Sequence, residues 1–490
     1  MNVLLVQPKY AYPRDVPLVV TMPLGLCYIA AVLRNRGHRV GILDCLAEGF
    51  RNREVSGGQV LFGLSDEAIA ERIREFRPDV VGCSAMFSMQ YPQARRLCGL
   101  VKQIDPRIVV VVGGIHATIQ PAEVLADSAV DFVIRGEADY TFADLVDALE
   151  QKKDYSAIDG LGFRDGGKVV VRDKTTFIEN LDDLPLPARD LLKIDCYYQA
   201  GLAHGFLLTS KRNVNLITSR GCPGGCIFCT IHLMWGRRFR ARSPENVLAE
   251  LDQVKRDFSA RHVQFEDDNL TFDIPRAKQL FQGMIARKLN LSWTTPNGVA
   301  AWRMDEETLR LMKSAGCHYV KFAVESGSQR VLSDVIGKPQ KIDEVIALIR
   351  FARRIGMKVG SFFVVGLPGE TKQEMQASFD FPHQVRLDWV EYSIATPHYG
   401  TELRRLCEEN RLLLAHDLSD LYARKGLVQT EDFTPAWLEQ KVTQENRRYL
   451  KHLAFHQPMT LLSIGWQVFK RNPRFVLGYL RRLLGGERQT

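Results

Sequence analysis

The sequence has no long hydrophobic run and no segment that resembles an export signal. None of its apolar runs reaches the ~18 residues that a membrane-spanning helix requires. Residues 1–6 lack the charged segment that opens a secretory signal, and their apolar pattern is that of a first β-strand. These absences predict a cytoplasmic chain without a membrane-spanning segment.

Motifs for two common kinds of ligand are also missing. No G-x-G-x-x-G follows the first predicted strand, which argues against a nicotinamide-binding domain. No second C-x2-C or H-x3-H pair lies near the cysteine-rich segment, which argues against a structural zinc site. The composition, with 46% hydrophobic and 25% charged residues, is that of a globular protein with several domains.

The strongest chemical signal is a loop that contains three cysteines. Cys222, Cys226 and Cys229 have the spacing C-x3-C-x2-C and directly follow a predicted strand at 213–219. Thiolates at this density bind soft metals, and iron–sulfur clusters are held by cysteines at such spacings. Three cysteines leave one iron of a four-iron cluster open for a small molecule, and such a site requires a reducing compartment.

This loop resembles the motif of the radical S-adenosylmethionine (SAM) superfamily, with Phe228 as the aromatic residue before the last cysteine. The resemblance implies a [4Fe–4S] cluster whose metal ligands are Cys222, Cys226 and Cys229, and SAM as the molecule bound at the open iron. In that family, one electron from the cluster cleaves SAM to a radical that abstracts hydrogen from carbon. The resemblance therefore also implies an electron donor such as flavodoxin or ferredoxin.

Residues 1–150 alternate β-branched runs with amphipathic stretches, a pattern that predicts a doubly wound parallel sheet. Ligands of such sheets bind beyond the carboxyl ends of the strands, and here those ends carry small and turn-forming residues. Glycines at strand ends are also ordinary in turns. The predicted strands are Val3–Gln7, Arg39–Leu43, Asp79–Cys83, Ile108–Val112 and Phe132–Arg135.

The order of these strand ends resembles the cobalamin-binding domain of cobalamin-dependent radical SAM enzymes, with its Pro-x-Gly, Gly-Gly-x-His and Gly-Glu elements. The D-x-H-x-x-G motif that provides a cobalt-ligating histidine in other cobalamin proteins is absent. The resemblance implies that no histidine lies below cobalt and that the loop 84–91 covers this face, although its apolar residues fit a protein core equally well. The implied cobalamin contacts are Pro23, Gly25, Ser84, Met86, Met89, Gly113, Gly114, His116, Gly136 and Glu137.

Residues 213–405 continue the alternation with six strand and five helix patterns, too few for a closed eightfold barrel. They resemble the partial barrel of the radical SAM family, in which chemistry is expected at the carboxyl ends of the strands. A solvated turn is the alternative for the acidic segment 266–268, and a plain turn is the alternative for 366–370. The implied SAM contacts are Phe228, Glu266, Asp267, Asp268, Asn297, Glu325, Ser326, Gly366 and Pro397.

The remaining segments predict a connector and a basic tail. Residues 151–212 contain a predicted hairpin at Phe163–Val170 and a proline-rich strap, and His204 is predicted to be a surface histidine. Residues 406–456 are charged and helical by composition, and two short apolar helices are predicted at Met459–Lys470 and Arg474–Leu484. Residues 441–490 contain ten Lys or Arg against two Glu, a net charge of +8 that equals the formal charge of the whole chain.

Two interpretations fit residues 457–490. They form either an anchor at a membrane surface or a helix pair packed on the barrel with basic outer faces. Nucleic-acid binding is not expected, because the basic residues lack a matching fold motif.

Together these observations predict an α/β chain with a cobalamin-binding domain (1–150), a connector (151–212), a radical SAM partial barrel (213–405) and a helical basic region (406–490). The resemblance implies a methyltransferase that acts on an unactivated carbon of a hydrophobic, lipid-like or natural-product-like small molecule. The alternative is an oxidative cyclase that uses the same cofactors, like the anaerobic magnesium-protoporphyrin monomethyl ester cyclase. A tRNA methylthiotransferase would need three further N-terminal cysteines, and a cobalamin sensor would not need a radical source.

Overall fold

The computed structural model describes residues 1–13, 16, 18–56, 58–205 and 207–471. Strands and helices alternate through most of this part of the chain. The strands are β1 (Asn2–Gln7), β2 (Tyr10–Pro13), β3 (Arg39–Asp44), β4 (Arg53–Ser56), β5 (Gln59–Phe62), β6 (Val80–Ser84), β7 (Val109–Gly113), β8 (Phe132–Ile134), β9 (Leu161–Asp165), β10 (Lys168–Val171), β11 (Asn213–Leu216), β12 (Ser219–Arg220), β13 (Arg240–Ala241), β14 (His262–Phe265), β15 (Ser292–Thr294), β16 (Tyr319–Glu325), β17 (Lys358–Val365) and β18 (Trp389–Ile394).

Most helices follow a strand and lead into the next one. The α-helices are α1 (Leu24–Asn35), α2 (Cys45–Glu48), α3 (Asp66–Phe76), α4 (Tyr91–Ile104), α5 (Ile115–Ile119), α6 (Pro121–Leu125), α7 (Asp139–Glu150), α8 (Ile194–Ala200), α9 (Ile231–Trp235), α10 (Pro244–Asp257), α11 (Ile274–Ala286), α12 (Glu306–Ser314), α13 (Ile342–Arg354), α14 (Lys372–Val385), α15 (Glu402–Glu409), α16 (Pro435–His456) and α17 (Pro458–Arg471).

The chain divides into two compact units. Unit 1 comprises 1–196, 219–242 and 396–429. Unit 2 comprises 197–218, 243–395 and 430–490. The cysteine loop belongs to unit 1, whereas the acidic segment 266–268 belongs to unit 2. The four-domain division drawn from the sequence stays a prediction.

Unit 1 is built on a seven-stranded sheet with the order β10-β9-β8-β7-β6-β1-β3. The five strands from β8 to β3 in this order pair in parallel, and β9 and β10 extend the sheet as an antiparallel hairpin. The central strands are valine-rich and buried, as expected where helices cover both faces of a parallel sheet. The doubly wound sheet and the hairpin are therefore confirmed.

Unit 2 contains two parallel three-stranded sheets, β11-β14-β15 and β16-β17-β18. Parallel bridges at Trp293–Cys317 and Val299–Phe322 link β15 and the segment after it to the region of β16. Helices α10 to α14 alternate with these strands, which confirms the partial barrel of six β/α repeats. The start of α10 is as predicted, because the Ser243 hydroxyl accepts the N–H of Asn246 and Pro244 takes the first helical position.

Residues 406–456 are helical at their two ends only. The expectation of helix throughout 406–456 is wrong for 410–434, where the structure has a single 3-10 turn at Leu418–Asp420 before α16 begins. The helix expected at Met459–Lys470 is present as α17, and the one expected at Arg474–Leu484 lies outside the described residues. No helix in the described ranges combines the length and the apolar character that crossing a bilayer requires.

Candidate cofactor site

The cysteine loop of unit 1 is an excursion between two short antiparallel strands, β12 and β13. Gly221 opens the loop with φ +85°, and a Cβ there would lie 2.3 Å from the carbonyl oxygen of Arg238, so only glycine fits. Cys222, Cys226 and Cys229 are half-buried, and Leu403 of α15 donates its N–H to the carbonyl oxygen of Ile227 at 2.9 Å. This loop presents a soft donor set on a tightly held backbone, which fits an iron–sulfur cluster.

Phe228, the aromatic residue of the motif, is half-buried in the same loop. His232 of α9 lies one turn after the last cysteine and hydrogen bonds to the backbone of Cys229. Burial and the charge of Arg237 lower its pKa, which favours the neutral ring. No local sequence pattern singles out His232.

The Gly-Gly-x-His segment lies at the carboxyl end of β7. Gly114 has φ +107°, and a Cβ there would meet the backbone of Ala85 at 2.7 Å. His116 is completely buried, with its Nδ1 3.1 Å from the Ser88 hydroxyl and its ring 4.2 Å from that of Tyr91. Burial lowers its pKa to about 4, so the ring is neutral. His116 thus holds the loop 84–91 in place.

That loop presents apolar side chains at the end of β6. Met86 and Phe87 are exposed, while Ser84 and Met89 are half-buried. Gly25 has open space around its Cα, and the nearest atom to a Cβ on Gly113 would be 3.9 Å away. An exposed apolar loop beside uncrowded glycines fits a large flat cofactor. Pro23, half-buried, is the residue before α1.

Gly136 and Glu137 face the cysteine excursion of the same unit. A Cβ on Gly136 would approach the carbonyl oxygen of Met234 to 3.3 Å. The Glu137 carboxylate is buried and binds Arg220 at 2.6 Å and Arg240 at 3.0 Å. Sequence analysis did not identify either arginine, although Arg220 lies only two residues before Cys222. A cobalamin contact for Gly136 and Glu137 stays a prediction.

The residues of the acidic segment 266–268 in unit 2 have different surroundings. Asp267 is buried and accepts the N–H and the hydroxyl of Thr218, the latter at 2.7 Å. Glu266 Oε2 lies 2.9 Å from Nδ1 of His204, and Asp268 is half-buried. Burial opposes protonation of His204, but Glu266 outweighs it and raises the His204 pKa. His204 is partly exposed, as predicted, yet it has an acidic partner that the sequence did not reveal.

Several buried polar atoms near this segment lack a hydrogen-bond partner among the residues that the structure describes. They are Oε1 of Glu266, both amide atoms of Asn269, and the hydroxyls of Thr271 and Thr295. Leaving such groups unpaired is costly, so this cluster suits a polar ligand. Asn297 is exposed and donates to the carbonyl oxygen of Glu266 at 3.0 Å. These atoms fit the amino and carboxylate groups of a SAM molecule.

At the ends of the later strands, the predicted SAM contacts are already engaged by other residues of the protein. Glu325 has φ +72°, a strained value for a residue with a side chain, and binds Lys338 at 3.1 Å. Ser326 is buried 3.3 Å from the Ser378 hydroxyl, and Gly366 is so close to α16 that a Cβ would lie 2.2 Å from Leu438. Pro397 is buried in unit 1. The SAM contacts assigned to these residues stay predictions.

Comparisons with known proteins agree with the two folds. The family model of the B12 binding domain matches residues 15–146, and that of the Radical SAM superfamily matches residues 216–381. The cytidylyl-2-hydroxyethylphosphonate methyltransferase of Streptomyces wedmorensis is 36% identical over 437 residues, covering 83% of this chain and 81% of that protein. The anaerobic magnesium-protoporphyrin IX monomethyl ester cyclase of Rubrivivax gelatinosus is 26% identical over 490 residues, covering 99% and 82%.

Among solved structures, the radical SAM methyltransferase TsrM of Kitasatospora setae, with tryptophan and a SAM analogue bound, superposes with a TM-score of 0.69. The match covers 88% of this chain and 79% of that one at 18% identity, which shows a shared fold. The cofactors of the chain are cobalamin, SAM and a [4Fe–4S] cluster. Because the chain is more than a third identical to the Streptomyces wedmorensis methyltransferase over most of both lengths, it belongs to the cobalamin-dependent radical SAM enzymes.

Proposed function

We propose that this enzyme transfers a methyl group to an unactivated carbon of a hydrophobic or natural-product-like small molecule. The observation that carries the proposal is the 36% identity to a methyltransferase over 437 residues, in a chain that matches both family models. That relative acts on a small molecule, as its name states.

Three cysteines hold the cluster in this proposal. Cys222, Cys226 and Cys229 are half-buried in a loop whose entry is fixed by Gly221. Their thiolates would each bind one iron and leave the fourth iron for SAM. Phe228 would pack beside the cluster.

The polar atoms of unit 2 bind SAM in this proposal. Glu266 Oε1 and the Asn269 amide, both unpartnered within the described ranges, would contact the amino and carboxylate groups of its methionine. Asp267 would fix the turn through Thr218. The further proposed contacts are Asp268, Asn297, Glu325, Ser326, Gly366 and Pro397.

Cobalamin would lie on the carboxyl ends of the unit 1 strands. Met86 and Met89 would cover its lower face, and His116 would hold their loop from inside the fold. Gly25 and Gly113 would keep the surface clear for the ring. The further proposed contacts are Pro23, Ser84, Gly114, Gly136 and Glu137.

When bound, the cluster with SAM supplies radical chemistry that removes hydrogen from carbon, and cobalamin supplies the methyl group. The chain contributes binding, orientation and exclusion of water. It also needs one-electron reduction, for which we propose a small donor protein such as flavodoxin or ferredoxin.

The test is anaerobic incubation of cluster- and cobalamin-loaded enzyme with reductant, SAM and candidate substrates, followed by mass spectrometry. We expect a product heavier by one methylene unit and no product from Cys226→Ala, which should also lose cluster iron and sulfide. The Cys407→Ala variant is the matched control, because this cysteine is buried in α15 outside the motif. If Cys226→Ala keeps wild-type iron content, the cluster assignment is wrong.

An oxidative cyclase is the second candidate, because the chain is also 26% identical to a cyclase over nearly its whole length. The same mass measurement separates the two functions. A cyclase product would lose hydrogen and gain no carbon, and deuterated SAM methyl would leave no label in it.

We further propose a cytoplasmic enzyme that touches a membrane surface through residues 457–490. Four residues of α17, Met459, Leu462, Trp466 and Phe469, are exposed and recur at the helical spacing of three, four and three. On another side of α17, Ile464 is buried with Leu207 and Tyr319. The helix therefore packs against the rest of unit 2 and still presents an apolar stripe, which together with the basic sequence of 470–490 suits an anionic bilayer.

A further inference from the structure

The base of the cysteine excursion places two arginines opposite each other. Arg220 of β12 pairs with Arg240 of β13 in the antiparallel register, and each guanidinium side chain is at most 4% exposed. Like charges directly opposite on paired strands repel, and burial strengthens the repulsion. Closing the loop at this pair therefore requires buried negative charge.

Two carboxylates after β8 supply that charge. Glu137 binds both arginines, Arg220 at 2.6 Å and Arg240 at 3.0 Å. Asp139 forms a two-pronged pair with Arg220 at 2.7 and 3.1 Å. Both carboxylates are buried, and Glu137 also accepts the N–H of Ile178 at 2.7 Å. Within this network the two positive charges of Arg220 and Arg240 thus face two negative charges.

Aromatic rings complete the packing around the arginines. The guanidinium of Arg220 lies 4.8 Å from the ring centre of Trp235 and 5.4 Å from that of Tyr28. Arg240 donates to the carbonyl oxygen of Trp235 at 3.0 Å. Trp235 ends α9, the helix that follows the last cysteine. The ion network therefore contacts the cysteine excursion both before and after the motif.

We propose that Glu137 and Asp139 are positioning residues that fix the cysteine loop for the cluster and set the charge around it. The inference rests on the proposed role of the three cysteines. It gives the Gly-Glu element after β8 a function toward the iron–sulfur cluster, in addition to the cobalamin contact that the sequence predicts. Removing one carboxylate leaves two buried arginines with a single negative charge to neutralise them. One of these arginines, Arg220, lies two residues before Cys222.

The test compares Glu137→Gln and Arg220→Lys with the control Asp388→Asn in the cobalamin-loaded full chain. Asp388 is a buried carboxylate of unit 2 that binds Arg353 at 3.0 Å and the N–H of Val359 at 2.8 Å, so its contacts match those of Glu137 in kind. The readouts are iron and sulfide after anaerobic reconstitution, the paramagnetic resonance spectrum of the reduced cluster, and its midpoint potential.

We expect Glu137→Gln to retain less cluster than wild type, with an altered spectrum and a more positive potential, because excess positive charge favours the reduced cluster. Arg220→Lys keeps the charge but loses the planar fork, so it should lose cluster without a comparable rise in potential. Asp388→Asn should match wild type in all three readouts. If Glu137→Gln does not fold, Asp139→Asn replaces it, because Glu137 then still binds both arginines.

Wild-type cluster content, spectrum and potential in the Glu137 or Asp139 variant would overturn the proposal. Equal changes in Asp388→Asn would also overturn it, since they would reflect general destabilisation. The Cys226→Ala variant keeps this outcome separate from the cluster assignment. If that variant retains the cluster, the assignment of the cysteines fails, whatever the carboxylate variants show.

Discussion

At the scale of single residues, the chain contains buried carboxylates of two kinds. Both carboxylate oxygens of Asp267 and of Glu137 accept hydrogen bonds, whereas only one oxygen of Glu370 does so among the described residues. One of its oxygens accepts the N–H groups of Gly366 and Leu367 at 2.8 and 3.2 Å, and the other has no partner in the described part of the chain. Burial raises the Glu370 pKa from 4.5 to about 7. The folded protein therefore favours the protonated form.

The raised pKa of Glu370 predicts that the stability of the folded protein depends on pH. Because the folded pKa lies above the unfolded one, the stabilising neutral form is fully present below pH 4.5 and is lost as the pH rises through about 7. The difference corresponds to roughly 3 kcal/mol between those limits. We expect Glu370→Gln to melt like wild type near pH ~5 and at a higher temperature near pH ~8, measured by thermal unfolding without added SAM. Parallel pH profiles would contradict this assignment.

At the scale of elements, strand ends and loops decide which groups meet a cofactor. His116 shows this: the resemblance implies a cobalamin contact for it, which stays a prediction, while the structure puts its ring beneath the loop 84–91. A buried neutral histidine bound to Ser88 acts as a support for the exposed Met86 and Phe87. The loop therefore depends on α5 for its shape.

We predict that cobalamin binds without an axial histidine. Paramagnetic resonance of the Co(II) form bound to the protein should lack nitrogen splitting, and His116→Gln should leave that spectrum unchanged while weakening cobalamin binding. A partly exposed histidine of the same unit, His232, provides the comparison as His232→Gln. A clear nitrogen pattern in wild type would contradict the prediction, and its disappearance in one of the variants would identify the histidine responsible.

Local sequence predicted most elements because each has its own periodicity and caps. The β-branched runs of the first sheet and the Ser243–Pro244 start of α10 are examples. The small sheet β2-β5-β4 was missed, since β2 pairs with β5 across two intervening helices and two strands. Long sequence separation also hides the ion pairs of the site: Glu137 lies 83 residues from Arg220, and His204 lies 62 residues from Glu266. Charge pairs of this kind follow from the tertiary fold and leave no local pattern.

At the scale of the whole molecule, charge and apolar surface are concentrated at the C-terminal end. Residues 441–490 hold a net charge of +8 in the sequence, and α17 presents its stripe of Met459, Leu462, Trp466 and Phe469. Each basic residue near an anionic leaflet contributes about 1 kcal/mol, so five would give roughly 5 kcal/mol. That is enough for reversible binding, and salt should weaken it.

We predict that the full-length protein cosediments with anionic vesicles at low salt and not with zwitterionic ones. Leu462→Glu with Trp466→Glu should reduce binding by roughly a hundredfold or more, because each buried apolar side chain contributes ~1.5–3 kcal/mol and two are lost. Ile285→Glu is the control, since Ile285 is an exposed apolar residue of α11 in the same unit. Absence of vesicle binding, or a dimer in sedimentation that the double variant abolishes, would contradict the membrane proposal.

The division of the chain into units has a consequence for how the enzyme is made. Unit 1 contains the first sheet, the cysteine excursion and 396–429, so its last piece emerges from the ribosome only near the end of synthesis. Domains with contiguous sequences fold as they emerge, whereas this one must wait for its final segment. We expect nascent chains halted before residue 396 to stay protease-sensitive in the cysteine loop, and the cluster to be inserted into finished chains rather than during translation.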